Sequence, residues 1–198
     1  MNVYSYVVEH DTGKAPNPYF GFCTLCRCKF RKCDTSRKNI VELAEPKKKN
    51  WVIGTGGANL RKSAGHGKLV FAMQVDEKLT REEYYNKLKF KKKKPGTCTD
   101  EQKHGDNEEP HGDFEKHKQF VLVSHPRHFY YFGEKAVDIP KKFDLEKKGP
   151  GFRSNFDQKD ILRFVEWLKK EHKPGKHGEP CFKGIDELKG NRRCKSSC

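Results

Sequence analysis

Apolar residues come in short runs separated by polar stretches rich in glycine, proline and lysine. The runs at 3–9, 51–53, 69–75 and 120–124, together with the aromatic run FYYF at 129–132, are dense in β-branched and aromatic residues and are bounded by turn formers. That pattern predicts strands. Between 22 and 33, Cys26, Cys28 and Phe30 alternate with Arg27, Lys29 and Arg31, which is again the period of a strand. Two segments carry helical signals. Thr80 and Glu83 form a capping box ahead of Tyr84, Tyr85 and Leu88, predicting a short helix over 80–89. Ile161, Phe164, Val165 and Leu168 recur at helical spacing, with Lys159, Arg163, Glu166 and Lys170 on the other face. Ser154 or Asn155 is placed to cap this amphipathic helix, and Pro174-Gly175 stops it. The piece 40–44 fits a helical turn or a strand.

The strands do not alternate with long helices, so a doubly wound parallel sheet is excluded and an α+β domain is predicted. The expected organisation is one domain over 1–182, with 34–48 and 91–118 as loops or insertions and a basic polar tail over 183–198. The centre of the domain is 51–75, where two apolar strands flank a loop holding Gly54, Gly56, Gly57, Gly65 and Gly67. Phosphate-binding fingerprints are absent from this loop. Asn59 stands where the third glycine of a Rossmann turn would fall, no amphipathic helix follows, and no G-x-x-x-x-G-K-[ST] occurs.

Composition sharpens the picture. Only 33% of the 198 residues are hydrophobic, but 14 Phe, 7 Tyr and 2 Trp suffice for a core, which excludes wholesale disorder. With 42 Lys and Arg against 27 Asp and Glu, the net charge is +15, and nucleic acid is the first partner to expect. No apolar run approaches the roughly 18 residues of a membrane span. The first ten residues lack the basic and apolar regions of a signal peptide, so a cytoplasmic, non-secreted protein without a membrane partner is expected. In that compartment the eight cysteines are free or metal-binding rather than paired as disulfides.

Several groups carry candidate chemistry. Asp11-Thr12-Gly13 has the tripeptide of aspartic proteases, but a second lobe is missing, and a turn explains it. Cys23, Cys26, Cys28 and Cys33 are close enough to ligate zinc as thiolates, although structural sites usually join two separated pairs. The competing reading is a strand with its thiols in the core, and no cofactor is required. Asp106, His111 and Asp113 sit in the 91–118 loop. Four consecutive aromatics, Phe129 to Phe132, are too many for one face of a strand, so some are expected to line the core and some a pocket or a neighbouring element. Aromatic faces stack on bases while nearby cations meet phosphates.

Taken in order, DTGKAPNP at 11–18, FCTL with Cys28-Lys29 at 22–29, WVIGTGG at 51–57, KLVFAM at 68–73, EEYY at 82–85, KKKP at 92–95, GDN at 105–107, VLVS with FYYFG at 121–133 and FRSNF ahead of the last helix make the chain resemble the nucleotide modification associated domain 2 family. The resemblance implies an association with systems that modify DNA bases, as in phages and bacteria. The chain departs from the pattern at Lys49-Asn50, over 34–48 and after Asn107. The order of strand, basic loop, strand and helix also looks like the small β-barrels of the PUA, ASCH and EVE type. The expected fold is therefore a small mixed or antiparallel β-barrel or curved sheet with a C-terminal amphipathic helix.

The expected function is binding of a nucleotide or modified base through an aromatic pocket with a basic rim. Its residues are Thr55, Gly56, Asn59, Arg61, Tyr130, Tyr131, Arg153 and Asn155, with Lys29 and Arg31 nearby. Two alternatives stand beside it. One is an enzyme acting on a nucleotide or DNA base, with Asp11, Cys23, His66 and Asp106 as candidate catalytic groups. The other is a structural or interaction component stapled by zinc. The oligomeric state is not legible in the sequence.

Overall fold

The computed structural model describes residues 1–26, 39–93, 120–147 and 151–182. Among these residues ten strands form two sheets. The larger contains β1 (Val3–Val8), β3 (Trp51–Gly56), β4 (Lys68–Gln74), β7 (Phe129–Tyr131), β9 (Phe152–Arg153) and β10 (Gly175–Lys176), in the order β10-β7-β4-β3-β1-β9, with β8 (Val137–Asp138) also paired to β4. It is mixed: β1 runs parallel to β3, and β10 parallel to β7, while β3, β4 and β7 are antiparallel neighbours. The smaller sheet is antiparallel, with β6 (Phe120–Ser124) between β2 (Cys23–Cys26) and β5 (Glu77–Thr80). Both sheets are open and end on edge strands. The closed barrel is corrected accordingly: this is an α+β fold of two sheets with few helices. None of its described helices is long and apolar enough to cross a membrane.

Both faces of the larger sheet are covered, which is why its strands read as continuous apolar runs rather than alternating ones. On one face Tyr4, Tyr6, Val52, Met73, Phe129 and Tyr131 meet Cys23, Leu25 and Leu122 of the smaller sheet and Ile40 and Val41 of α1 (Ile40–Leu43). On the other, Val3, Trp51, Ile53, Ala72, Tyr130 and Phe132 meet Ile161, Phe164, Val165 and Leu168 of α3 (Gln158–Glu171). The aromatic run is thereby explained. Phe129 and Tyr131 enter one core and Tyr130 and Phe132 the other, and all four are buried. A bulge lets Val70 and Phe71 share a core, since Gly54 opposes Phe71 and Thr55 opposes Leu69.

The helices follow their caps. Thr80 caps α2 (Arg81–Asn86) with the expected capping box, but the helix stops at Asn86 and a 3-10 turn, Leu88–Lys93, continues the chain. A second capping box, Asn39 with Glu42, starts α1 and decides the 40–44 segment in favour of helix. The cap of α3 is Asp157, whose carboxylate accepts from the Lys159 N–H at 2.7 Å; Ser154 and Asn155 lie outside the helix.

Candidate functional site

The chain leaves β1 at Val8 and turns at Asp11-Thr12-Gly13. Gly13 holds φ at +68°, and a Cβ there would lie 2.5 Å from Pro180 Cγ, so the turn and the C-terminal strap can approach only at glycine. Asp11 is 1% exposed. Its carboxylate accepts from the Tyr131 hydroxyl at 2.5 Å through Oδ1 and from the Cys181 N–H at 3.1 Å through Oδ2. Its backbone N–H donates to the Lys62 carbonyl at 2.8 Å, and its carbonyl accepts from the Phe182 N–H at 2.9 Å. One aspartate thus ties together the turn after β1, the loop after β3, strand β7 and the strap that follows β10. The strap is set by β10 pairing with β7 and by the His177 N–H bond to the Tyr131 carbonyl at 2.7 Å.

Burial pushes the Asp11 carboxyl above the ordinary 3.8, although the bonds from Tyr131, Cys181 and Gly13 work the other way. The Tyr131 phenol is pushed up, first by burial and then by the Asp11 charge. The Cys181 thiol is pushed up to about 12, again by burial and then by Asp11, so it stays protonated and is a poor nucleophile. Burial and then the bond to Glu179 raise the Tyr19 phenol.

Around this buried carboxyl lies a partly exposed rim of rings and cations. The Tyr19 hydroxyl donates to Glu179 Oε2 at 2.8 Å. Lys176 pairs with Glu179 Oε1 and its ammonium stands 4.7 Å over the Tyr19 ring. Phe20 neighbours Tyr19 at 6.4 Å between ring centroids. Phe182 lies 5.8 Å from the His10 ring, and the Lys62 ammonium is 5.9 Å from the Phe182 centroid. Rings with cations beside them suit a flat, anionic guest, because the ring face stacks and the cations offset phosphate charge.

The glycine loop is closed on itself instead of forming an open cradle. A Cβ at Gly56 would fall 1.9 Å from the Gly65 carbonyl oxygen. The Ser63 hydroxyl accepts from the Gly57 N–H at 2.8 Å and donates to the Val8 carbonyl at 2.5 Å. Asn59 Oδ1 accepts from the Arg61 N–H at 3.0 Å, and the Asn59 carbonyl accepts from the N–H of Lys62 and Ser63. These bonds fold 59–63 into a tight turn with Asn59, Leu60 and Arg61 exposed at its tip.

The expected site residues separate in three dimensions. Asp11 and Tyr131 meet, and Asn59 and Arg61 lie on the loop whose Lys62 carbonyl holds Asp11. Thr55 is buried, its hydroxyl donating to the Tyr6 carbonyl at 3.4 Å. Tyr130 stacks on Trp51 at 6.4 Å in the core under α3. Arg153 sits on the edge strand β9, held by the Asp144 carboxylate and carbonyl, each at 2.9 Å. Asn155 is exposed nearby and His66 is exposed in the loop. Thr55 and Tyr130 are thus buried inside the sheet, whereas Arg153 stands half-buried on its edge strand. Cys23 is a core residue whose thiol donates to the Met73 sulfur at 3.9 Å, and Cys26 packs on the opposite side of β2 with Phe90 and Tyr84. The strand thus parts the two described members of the four-cysteine set. Among the described residues no group of three or more His, Cys, Asp or Glu is arranged to hold a metal ion. Cys28, Cys33, Lys29, Arg31 and Asp106 lie outside the described residues.

Tyr19, Lys176, Glu179, Cys181 and Phe182 escaped the sequence reading. Their only signal was turn chemistry, Pro16 and Pro18 before Tyr19 and Gly178 and Pro180 around the strap.

The model of a family described as nucleotide modification associated domain 2 matches residues 1–111 and 100–186. Comparison with curated proteins and with solved structures returned no match.

Proposed function

The chain belongs to the nucleotide modification associated domain 2 family, and on that premise we propose that it takes up a nucleotide or a base of DNA at the rim over Asp11, as part of a system that modifies DNA bases. The observation carrying this reading is the convergence of four chain segments on one buried carboxylate beneath half-buried Tyr19, Phe20 and Phe182. Tyr19 and Phe182 supply ring faces, Lys62 stands near the Phe182 ring, and Lys176 over the Tyr19 ring is paired with Glu179. Asp11 organises the floor by holding the strap against β7.

Fluorescence anisotropy with labelled single- and double-stranded DNA across a salt series tests the reading. Affinity should fall steeply with salt, because lysines bound to phosphate release counterions. Tyr19→Ala should weaken binding about tenfold, the value of one lost stacking partner. Absence of binding, or an affinity flat in salt, would sink the idea.

A second reading has its own observation. Burial raises the Asp11 carboxyl, as in acids and bases that work near neutrality. With its carboxyl 1% exposed, such a role requires substrate to displace the Cys181 strap. Turnover of nucleotides or DNA bases that survived Asp11→Asn unchanged would exclude it.

A further inference from the structure

Three large apolar side chains among the described residues are strongly exposed: Leu88 at 84%, Leu60 at 75% and Leu162 at 52%. Leu60 differs from the other two in its setting. It tips the loop whose Lys62 carbonyl receives the Asp11 N–H, so it belongs to the rim of the candidate site. Its backbone is also held firmly. Asn59 closes the turn from one side, and Ser63 ties it to Gly57 and to the Val8 carbonyl from the other. The pinned turn holds Leu60 out of the core, with its Cδ2 leaning toward Gly65 of the same loop and the residue 75% exposed. Cations follow it in the chain: Arg61 is exposed, and the Lys62 ammonium lies 5.9 Å from the Phe182 ring centroid. That charge suits a polyanion and disfavours an apolar protein groove as the occupant.

We propose that Leu60 is a wedge that enters a DNA duplex and fills the gap left when the adjacent base turns out toward the rim over Asp11. The inference rests on the reading that this rim takes up a base. A base inside a duplex reaches such a rim only after unstacking, which has a free-energy cost. An apolar side chain inserted between base pairs offsets part of that cost. Leucine has the required shape, and Arg61 beside it is placed to meet the flanking phosphate. The rings of Tyr19 and Phe182 then receive the extruded base.

Short duplexes carrying 2-aminopurine test this, since its fluorescence rises on unstacking. Wild-type protein should raise the signal. Leu60→Ala should remove most of that rise and weaken duplex binding about tenfold. Its binding to single strands should stay within about twofold, because no stacked base must be displaced there. Leu60→Met, which keeps an apolar side chain of similar volume, should retain the rise. Arg61→Ala should instead weaken single and double strands alike and flatten the salt dependence. The 75% exposure of Leu60 makes a folding defect an inadequate explanation for a loss confined to duplexes. Equal duplex affinity and equal fluorescence for wild type and Leu60→Ala overturn the wedge. So does wild-type binding to single strands without any binding to duplex, an outcome that leaves base uptake standing. Failure to bind nucleic acid of either kind removes both.

Discussion

Replacing Lys93 with methionine should be among the most damaging single changes in the chain. The residue lies within a lysine run in the stretch expected to be a loop, yet it is 0% exposed. Its ammonium donates to Asn17 Oδ1 at 2.8 Å, the Tyr19 carbonyl at 2.9 Å, and the Asn17 and Phe22 carbonyls at 3.2 Å each. Three N–H groups serve four oxygens, so one proton is shared. Hydrogen bonds from a charged donor contribute about 1.5–3 kcal/mol each, but bonds sharing one donor group do not add. Methionine preserves the stem and leaves the oxygens facing a thioether. The expected loss is about 3–5 kcal/mol, the range for removing one side of a buried charged contact. For a chain of this size that is about 10 °C in Tm. The oxygens belong to the 17–22 turn, where Phe20 and Gly21 hold positive φ, so the turn presenting Tyr19 and Phe20 should loosen as well. Urea denaturation followed by circular dichroism measures the stability, and limited proteolysis within 17–22 measures the local effect. Lys92→Met is the control: an exposed lysine should change stability by less than about 0.5 kcal/mol. If Lys93→Met matched Lys92→Met in both assays, the ammonium would not be the staple of this turn and the argument would fail.

Two further outcomes follow from the same geometry. Tyr131→Phe removes a donor to a buried carboxylate and should cost about 2–3 kcal/mol where Asp11 is ionised. The phenol's bond lowers the Asp11 pKa, so its loss raises that pKa further; the cost is largest above the folded pKa and shrinks as pH falls toward 3.8, and a cost that instead grew on acidification would contradict the assignment. Gly56→Ala pushes a methyl into the Gly65 carbonyl and should destabilise by about 3 kcal/mol in chemical denaturation; a neutral effect would show that the loop is not packed as described.

The local elements were legible because their signals are local. The apolar runs of β1, β3, β4 and β6, the capping box of α2 and the periodicity of α3 each lie within a few consecutive residues. The α+β class follows from them. Family membership was also readable, from weak motifs kept in order, and the family model matches over most of the chain.

The site was read only in fragments. Asp11 and Tyr131 were both singled out, but nothing in a linear pattern pairs residues 120 positions apart. That pairing depends on the order of strands in the sheet, and strand order is set by which faces must be buried together. The aromatic run looked like a surplus for one face of a strand, with some rings left for a pocket or a neighbouring element. A second covered face absorbs it, because the smaller sheet and α3 bury opposite sides of β7. The glycines of 54–67 were expected to help hold a nucleotide, through Gly56. Close packing constrains them, Gly54 against Phe71 and Val8 and Gly56 against the Gly65 carbonyl, and such contacts leave no trace in local spacing. Lys93 makes the same point with a charge. Lys91 and Lys92 before it are exposed, and the turn at 17–22 turns its ammonium into an interior staple. Sequence pattern thus decided which residues become strand or helix and which family the chain joins. Tertiary packing decided which polar groups are buried, and so which residues stand around Asp11, since burial depends on contacts between segments far apart in sequence.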